Sequence, residues 1–254
     1  MIRIKGYSKY ITNYYNIKEY NKDMYRLIYC KMPIKNSGFE DDRKVEYKRD
    51  VNDKKLDNNI SRARTRIFEY AICNDFDYFV TLTVNEQYLD RYDLKEYIKK
   101  LGQFIRDYRK KHGVNVQYLL IPEKHKDGAW HMHGLIKGIP KENLKINKYG
   151  YKDWEEYSKR FGYISIDEVR NQVAVSKYIT KYISKSIDTG GGVTEKESKL
   201  YYCSRGLKRP KKVHEGTLNT NHLNNIWFEF ENDYIKSLTL NKEELEKVLK
   251  LLDD

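Results

Sequence analysis

The chain has 254 residues and 39% hydrophobic content, enough for the core of one large domain or two small ones. Its 49 Lys and Arg residues against 37 Asp and Glu residues give a net charge of +12, which favours polyanionic partners over neutral ones. The three cysteines are far apart and form no CxxC pair, which argues against a disulfide framework and against a zinc knuckle.

The composition also bears on location and on partners. The opening MIRIKGYSKY has no apolar core for a signal peptide, and no run approaches the roughly eighteen apolar residues of a membrane span. We therefore expect a cytoplasmic protein without a membrane role. The 24 tyrosines often lie beside lysines, as in KYITKYISK, a mixture that suits stacked bases and phosphates. An AT-rich genome would produce the same composition, so it decides nothing alone.

The first half of the chain alternates polar segments with periodic ones. Residues 1–59 are polar and irregular, and they are typical either of strands at a sheet edge or of an arm that contacts nucleic acid. Ser61 is the expected N-cap of a helix that ends near Asn74. Its apolar positions recur at helical spacing: Ala63, Ile67, Tyr70 and Ala71. YFVTLTVN then alternates as a core strand, with Tyr78, Val80, Leu82 and Val84 on one face.

The next segments predict a helix and a hairpin. DLKEYIKKLGQFIRDYRKKHG repeats apolar residues at steps of three and four, with Asp93 at its start and Gly113 after its end. VNVQYLLIPE reads as a strand, KHKDG as a turn with an Asp-Gly pair, and AWHMHGLIKGI as the returning strand. Together they predict a β-hairpin.

Three histidines and one glutamate fall within this hairpin. Alternation along a strand puts His131 and His133 on one face, with Trp130 and Met132 behind them against the core. A turn centred near Asp127 would put Glu123 across from His131, and it would leave His125 two residues nearer the turn. Two imidazoles and a carboxylate suit a divalent ion that must also accept substrate oxygens. The competing interpretation is a half-exposed polar face.

A second constellation lies in VSKYITKYISKS. Tyr178 and Tyr182 are four residues apart, and each is followed three residues later by a lysine, Lys181 and Lys185. On a helix, this spacing places both phenols on one face, one turn apart. A phenol has a pKa of about 10, but a nearby cation and a metal-polarised phosphate make its attack feasible. The alternative is an amphipathic helix that buries its tyrosines.

These motifs resemble those of HUH endonucleases of the replication-initiator (Rep) group, found in rolling-circle plasmids, phages and small circular DNA viruses. YFVTLT, WHMHGL and YITKY match the family's three motifs in order, and the resemblance runs from Ser61 to Gly206. It implies an α+β fold with a central antiparallel sheet of about five strands flanked by helices. We expect an endonuclease core at residues 60–206, an N-terminal extension at 1–59, and a basic segment with a C-terminal helix at 207–254, packed on the core.

The resemblance also implies roles for the quoted residues. His131 and His133 would bind Mg²⁺ or Mn²⁺. Glu123 stands eight residues before His131, where viral Reps supply a carboxylate, and His125 is its rival as third ligand. The remaining roles fall on the tyrosine motif: Tyr178, in a YxxK pattern, as first nucleophile, Tyr182 as second nucleophile or packing residue, and Lys181 and Lys185 as helpers.

The implied activity is metal-dependent, strand-specific nicking of single-stranded DNA at a replication origin, giving a 5′-phosphotyrosine and a free 3′-OH, with later rejoining. No GxxxxGK(S/T) phosphate loop occurs, so a separate helicase is expected to unwind the DNA. A relaxase or single-strand transposase of the same superfamily is one alternative, and a non-catalytic single-stranded nucleic-acid-binding protein is another. The basic segment SRGLKRPKK is either a DNA contact or a solvated tail; its cations are Arg205, Lys208, Arg209, Lys211 and Lys212.

Overall fold

The computed structural model describes five ranges of the chain: 9–21, 23–36, 53–188, 199–218 and 225–253. Within them, side chains are described everywhere except at 53–58, 183–188 and 253. The chain divides into two compact units, one combining Met1–Asp50 with Arg209–Asp254 and the other formed by Val51–Lys208. The predicted boundaries after residues 59 and 206 stay predictions, because a division by compactness does not test which segments act alone.

The described ranges contain five α-helices and fourteen strands. In chain order they are β1 Tyr10–Ile11, β2 Tyr14–Asn21, β3 Met24–Cys30, β4 Ile34–Lys35, α1 Asp53–Ile72, β5 Tyr78–Thr83, α2 Leu94–His112, β6 Gln117–Lys124, β7 Trp130–Lys137, β8 Leu144–Ile146, β9 Lys152–Trp154, α3 Glu155–Phe161, β10 Ile164–Glu168, α4 Gln172–Asp188, β11 Tyr202–Cys203, β12 Lys211–Thr217, β13 Phe230–Glu231, β14 Ile235–Leu240 and α5 Lys242–Asp253. Among the described residues, no helix has the length and apolar character that crossing a bilayer requires.

A five-stranded antiparallel sheet forms the centre of the 51–208 unit. Its strand order is β10-β5-β7-β6-β11, so that β7 lies in the middle. Strands β6 and β7 are the predicted hairpin, and β5 is the predicted core strand. The expected α+β fold, with a central antiparallel sheet flanked by helices, is confirmed and is consistent with the HUH endonuclease fold.

The two faces of this sheet have different cores. On one face, alternate residues of β5 and β7, including Leu82 and Met132, pack with the aromatic side chains of α2 and α3. On the other face, Ile67 of α1 and Ile179 of α4 share a core with Leu135 of β7. The period of two along each strand thus separates an aromatic layer from a helical layer that includes α4.

Helix α2 forms as its sequence predicts. The side chain of Asp93 accepts a hydrogen bond from the N–H of Glu96, and Gly113 ends the helix in the left-handed conformation at φ 65°. The apolar positions at steps of three and four are buried: Leu94, Tyr97, Leu101, Phe104, Ile105 and Tyr108. Capping and periodicity therefore agree at both ends of this helix.

Helix α1 begins earlier than predicted. It starts at Asp53, so the predicted N-cap Ser61 was wrong, and Ser61 lies within the helix with its carbonyl accepting a hydrogen bond from the Thr65 hydroxyl at 3.1 Å. The preceding DKKLDNNI has no proline or glycine to stop a helix, while its polar composition shows little core periodicity. The end of the helix at Ile72 agrees with the prediction of an end near Asn74.

The other unit is built from both ends of the chain. Its sheet has the order β12-β2-β3-β14-β13, with all pairs antiparallel. One face of this sheet buries Ile17 and Leu27 together with Leu245 and Val248 of α5. The strands among residues 10–35 therefore pair with C-terminal strands in a second sheet, an arrangement that the polar N-terminal sequence did not indicate.

Gly134 stands where strands β6 and β7 approach most closely. A Cβ at this position would lie 2.5 Å from the carbonyl oxygen of Leu119 and 2.3 Å from Cδ2 of Leu120. The first of these atoms belongs to the backbone and cannot rotate away. Glycine is therefore required directly after His133 by the packing of the hairpin.

We expect Gly134→Ala to lower the free energy of unfolding by about 1–3 kcal/mol, because the added methyl group forces the two strands apart. Urea denaturation followed by circular dichroism measures the effect. The matched control is Gly102→Ala in helix α2, where the nearest atom would be 3.6 Å away and alanine adds up to about 1 kcal/mol of helix stability. Equal stability of the two variants would contradict the packing explanation.

Candidate functional site

The β6–β7 register brings the predicted carboxylate opposite the histidines. Glu123 pairs directly with His131, as expected from a turn centred near Asp127. The turn closes with the N–H of His125 donating to the carbonyl of Ala129 at 2.8 Å, and Asp127 accepts from the N–H of Ala129. This backbone hydrogen bond is the main reason why the pKa of Asp127 lies below its usual value. The turn thus aligns both strands without further contacts.

Three ligand atoms converge at this point on the sheet. The Nε2 atoms of His131 and His133 are 2.9 Å apart, and Oε2 of Glu123 lies 2.9 Å from Nε2 of His133 and 3.3 Å from that of His131. Glu123 and His131 are each 5% exposed, so the group is largely shielded from water. Among the described residues, these three form the group that could hold a metal ion.

The triad of Glu123, His131 and His133 fits a divalent ion in size and in chemistry. Around an ion with metal–ligand distances of about 2.1 Å, neighbouring ligands of an octahedron lie about 3.0 Å apart. The three separations of 2.9, 2.9 and 3.3 Å lie close to that value. One carboxylate oxygen and two imidazole nitrogens also match the donors that divalent transition metals and magnesium accept. The donor set does not specify which divalent ion it takes.

His125, the rival third ligand, lies beside the triad. Its ring centroid is 3.9 Å from that of His131, but the residue is exposed and is not in the group of converging ligand atoms. The ring therefore covers His131 from the turn side. Its role as a ligand stays a prediction.

Thr81 is a site residue that the sequence analysis did not single out. It pairs with His133 across β5 and β7, and its hydroxyl lies 3.1 Å from Nδ1 of that histidine. A hydrogen bond at Nδ1 fixes the ring with Nε2 toward the triad, which is the usual arrangement behind a metal-binding histidine. Alternation along YFVTLT placed Thr81 on the correct face, but only the strand register identifies its partner.

The two tyrosines of α4 lie against the triad. Their hydroxyl oxygens are 2.8 Å apart and share a hydrogen bond. The Tyr182 ring stacks on the His133 ring, with centroids 3.9 Å apart and planes 23° from parallel. Phe79 packs edge-on against Tyr178 at 5.5 Å and lies 6.0 Å from Tyr182. The predicted tyrosine pair and the predicted histidine pair therefore form one aromatic cluster.

The two phenols differ in environment. Tyr178 is 46% exposed, whereas Tyr182 is half-buried. Burial raises the pKa of Tyr182 well above its ordinary value, and the hydrogen bond with Tyr178 and the negative charge of Glu123 act in the same direction. Tyr182 is therefore a neutral phenol next to His133, and Tyr178 is the phenol that solvent reaches.

The two lysines of the motif are described to different extents. Lys181 is exposed, and its ammonium nitrogen lies 5.9 Å from the centroid of the Tyr178 ring. Lys185 falls within α4, but its side chain lies outside the described residues. Only Lys181 can therefore be placed beside a phenol.

The predicted basic contacts divide between the two units. Arg205 and Lys208 belong to the 51–208 unit, and both are exposed. Asn74 holds the backbone of Lys208 there through hydrogen bonds of 3.0 Å to its N–H and to its carbonyl. Arg209, Lys211 and Lys212 belong to the other unit, where Lys212 forms an ion pair with Glu215 at 2.5 Å. Their contact with DNA stays a prediction.

Comparisons with known proteins bear on the segment that contains this site. Residues 77–187, less than half of the chain, match the family model of the replication-associated protein ORF2. Searches of the curated proteins and of the solved structures found no match. The matched segment includes the triad and both tyrosines, and it is similar to a family of replication-associated proteins, which supports a Rep-type replication initiator.

Proposed function

We propose that this protein initiates rolling-circle replication by nicking single-stranded DNA at an origin with a tyrosine nucleophile. The observation that carries the proposal is the stacking of Tyr182 on His133 at 3.9 Å, which joins the tyrosine pair to a triad that fits a divalent ion. The similarity of residues 77–187 to replication-associated proteins supports the biological role. A net charge of +12 supports a DNA substrate.

In the proposed reaction, Glu123, His131 and His133 hold Mg²⁺ or Mn²⁺. When bound, such an ion would withdraw electron density from the scissile phosphate and stabilise the charge that develops on it. Thr81 keeps the His133 ring in position. The phenolic oxygen of a tyrosine attacks phosphorus and loses its proton to water. The bond from phosphorus to the 3′-oxygen breaks, and that oxygen leaves with the electron pair and takes up a proton.

The products of this step are a 5′-phosphotyrosine and a free 3′-OH. Because one phosphate ester replaces another, a later 3′-OH can attack the phosphotyrosine and rejoin the strand without ATP. Unwinding by a separate helicase belongs to the same proposal.

We assign the first attack to Tyr178. Its phenol is exposed, so a DNA phosphate can reach it, and the Lys181 ammonium group lies close enough to favour a developing phenolate. Tyr182 is positioned either as the second nucleophile or as a ring that packs His133 in place. Both roles are compatible with the shared hydrogen bond of 2.8 Å between the two hydroxyls.

A gel assay for covalent protein–DNA adducts tests the proposal as a whole. The protein is mixed with a pool of short single-stranded oligonucleotides and Mn²⁺, and a species that survives denaturation is expected. A protein that binds the pool but forms no adduct with any metal would instead indicate a non-catalytic single-stranded DNA-binding protein.

We expect His131→Ala and His133→Ala each to abolish adduct formation while DNA binding largely survives, because binding depends on the Lys and Arg surface. Oligonucleotide cleavage and binding are measured in parallel, with and without EDTA. The matched histidine control is His125→Ala, which should retain cleavage, and Glu123→Ala should weaken metal affinity more than it does. Cleavage that resists EDTA would rule out the metal assignment, and the reverse order of Glu123 and His125 would make His125 the third ligand.

We expect Thr81→Val to weaken the metal dependence of cleavage by roughly 10- to 100-fold, because His133 loses the hydrogen bond that orients it. The activity is titrated with Mn²⁺, and the half-saturating concentration should rise while the maximal rate at excess Mn²⁺ largely recovers. Thr83→Val is the control, since Thr83 lies on the same face of β5 and pairs with His131. A uniform loss of rate without a shift in Mn²⁺ dependence would argue for a structural role only.

We expect Tyr178→Phe to eliminate the covalent adduct on a short origin oligonucleotide, since it removes the phenolic oxygen and keeps the ring. Tyr182→Phe should still form the adduct but fail in the second transfer that closes a circle. Mass spectrometry of the nucleotide-bearing peptide identifies the residue. An adduct on Tyr182 in the unmutated protein, with Tyr178→Phe still active, would reverse the assignment, and full circle closure by Tyr182→Phe would reduce Tyr182 to packing.

A further inference from the structure

A row of residues crosses the central sheet on the face that carries the triad. Glu123 pairs with His131, and His131 pairs with Thr83. The N–H of Thr83 in turn donates to the carbonyl of Tyr163, just before β10, at 2.9 Å. Directly opposed residues share a face, so Tyr163 lies on the face of His131. With strands about 4.8 Å apart, the two backbones are separated by about 10 Å.

Tyr163 forms part of the wall of an open cavity of about 590 Å³. Its side chain is 56% exposed, and Tyr88, which also lines the cavity, is 53% exposed. Two phenol rings therefore offer their faces to whatever enters. Aromatic faces of this kind stack on nucleobases, and each such contact contributes measurably to single-strand binding.

The polar groups of the cavity are already oriented. Oδ1 of Asn85 accepts from the N–H of Gln87 at 3.0 Å, and Oδ1 of Asn147 accepts from the N–H groups of Tyr149 and Tyr151 at 3.0 and 3.1 Å. Backbone N–H groups can only donate, so both asparagines must present their oxygens to the turns. Their amide NH₂ groups are left as donors for a ligand.

The cavity also contains an acceptor. One carboxylate oxygen of Asp153 accepts a hydrogen bond from the hydroxyl of Ser158. This contact orients the carboxylate, and its second oxygen can accept from a ligand. Two amide donors, one carboxylate acceptor and two aromatic rings are the groups that proteins use to bind an unpaired base by its edge and by its face.

We infer that this cavity binds one base of the DNA strand whose phosphate lies at the triad, an inference that rests on the proposed function. Asp153 accepts from an exocyclic amino group, which adenine, cytosine and guanine carry and thymine lacks. The distance of about 10 Å from His131 corresponds to about one or two nucleotides of an extended strand. The cavity therefore contributes to the choice of cleavage site.

The surroundings of the cavity suit the backbone of the same strand. Lys148 follows Asn147 in the turn between β8 and β9, and its exposed ammonium nitrogen lies 4.9 Å from the centroid of the Tyr149 ring. Within the described part of the chain it makes no salt bridge, so its charge is available to a phosphate. An uncharged small molecule would make no use of this lysine.

Fluorescence anisotropy with labelled oligo(dC) and oligo(dT) of about fifteen nucleotides, in EDTA, measures binding without cleavage. The wild-type protein should prefer oligo(dC). Tyr163→Ala and Tyr88→Ala should each weaken oligo(dC) binding on the order of tenfold. Asp153→Asn keeps an acceptor for Ser158 and should reduce the preference for oligo(dC) over oligo(dT).

The matched control is Tyr92→Ala. Tyr92 is 55% exposed and lies just before α2, which packs on the opposite face of the sheet. The inference is overturned if Tyr92→Ala weakens binding as much as the cavity variants, or if the cavity variants bind like the wild type. When the wild type still forms the covalent adduct, that result leaves the proposed function standing. A wild type that neither binds single-stranded DNA nor forms the adduct overturns both.

Discussion

The pairing of β6 with β7 in a single register is the interaction on which the candidate site depends. Side chains alternate along a strand, so a shift of one residue would turn both histidines into the aromatic core and would expose Trp130 and Met132 on the α4 side. Those two residues are 1% and 0% exposed, which makes such a shift very costly. Gly134 permits the close approach of the two strands that this register requires. The apolar side of β7 therefore determines where His131 and His133 stand on its polar side.

The parts of the fold that sequence reasoning predicted are those determined by local periodicity and capping. Alternation in β5 and β7 identified the buried and the polar face of each strand, because both strands lie in the middle of one sheet with different layers on their two sides. The Asp-Gly turn then set the register of the hairpin, and with it the position of Glu123. Helix α2 was predicted at both ends because Asp93 and Gly113 cap it, and these caps act through neighbouring residues only.

The features that the sequence did not reveal depend on contacts between distant segments. Residues 10–35 read as irregular because their strands find partners about 200 residues away, as in the pairing of Tyr14 with Thr217. The contact between Thr81 and His133 needs the register of β5 against β7, which no turn connects. Ser61 misled because a serine before an apolar repeat resembles a cap even when the helix has already begun. The cavity beside Tyr163 joins three separate loops and has no motif of its own.

The tyrosine pair acts as one unit because its two hydroxyls share a single hydrogen bond. Ile179, which is fully buried between the sheet and α1, sets the rotation of α4, so the phenols on either side of it cannot turn away from the triad. Under the proposed chemistry, the Tyr178 oxygen that becomes esterified to phosphorus has no proton left to donate. It can then only accept, which leaves Tyr182 as the donor of the pair and the remaining phenol with a proton to give. The stacking of Tyr182 on His133 keeps that second hydroxyl beside the same phosphate. A second transfer would therefore need no movement of the helix, only an exchange of roles between two phenols.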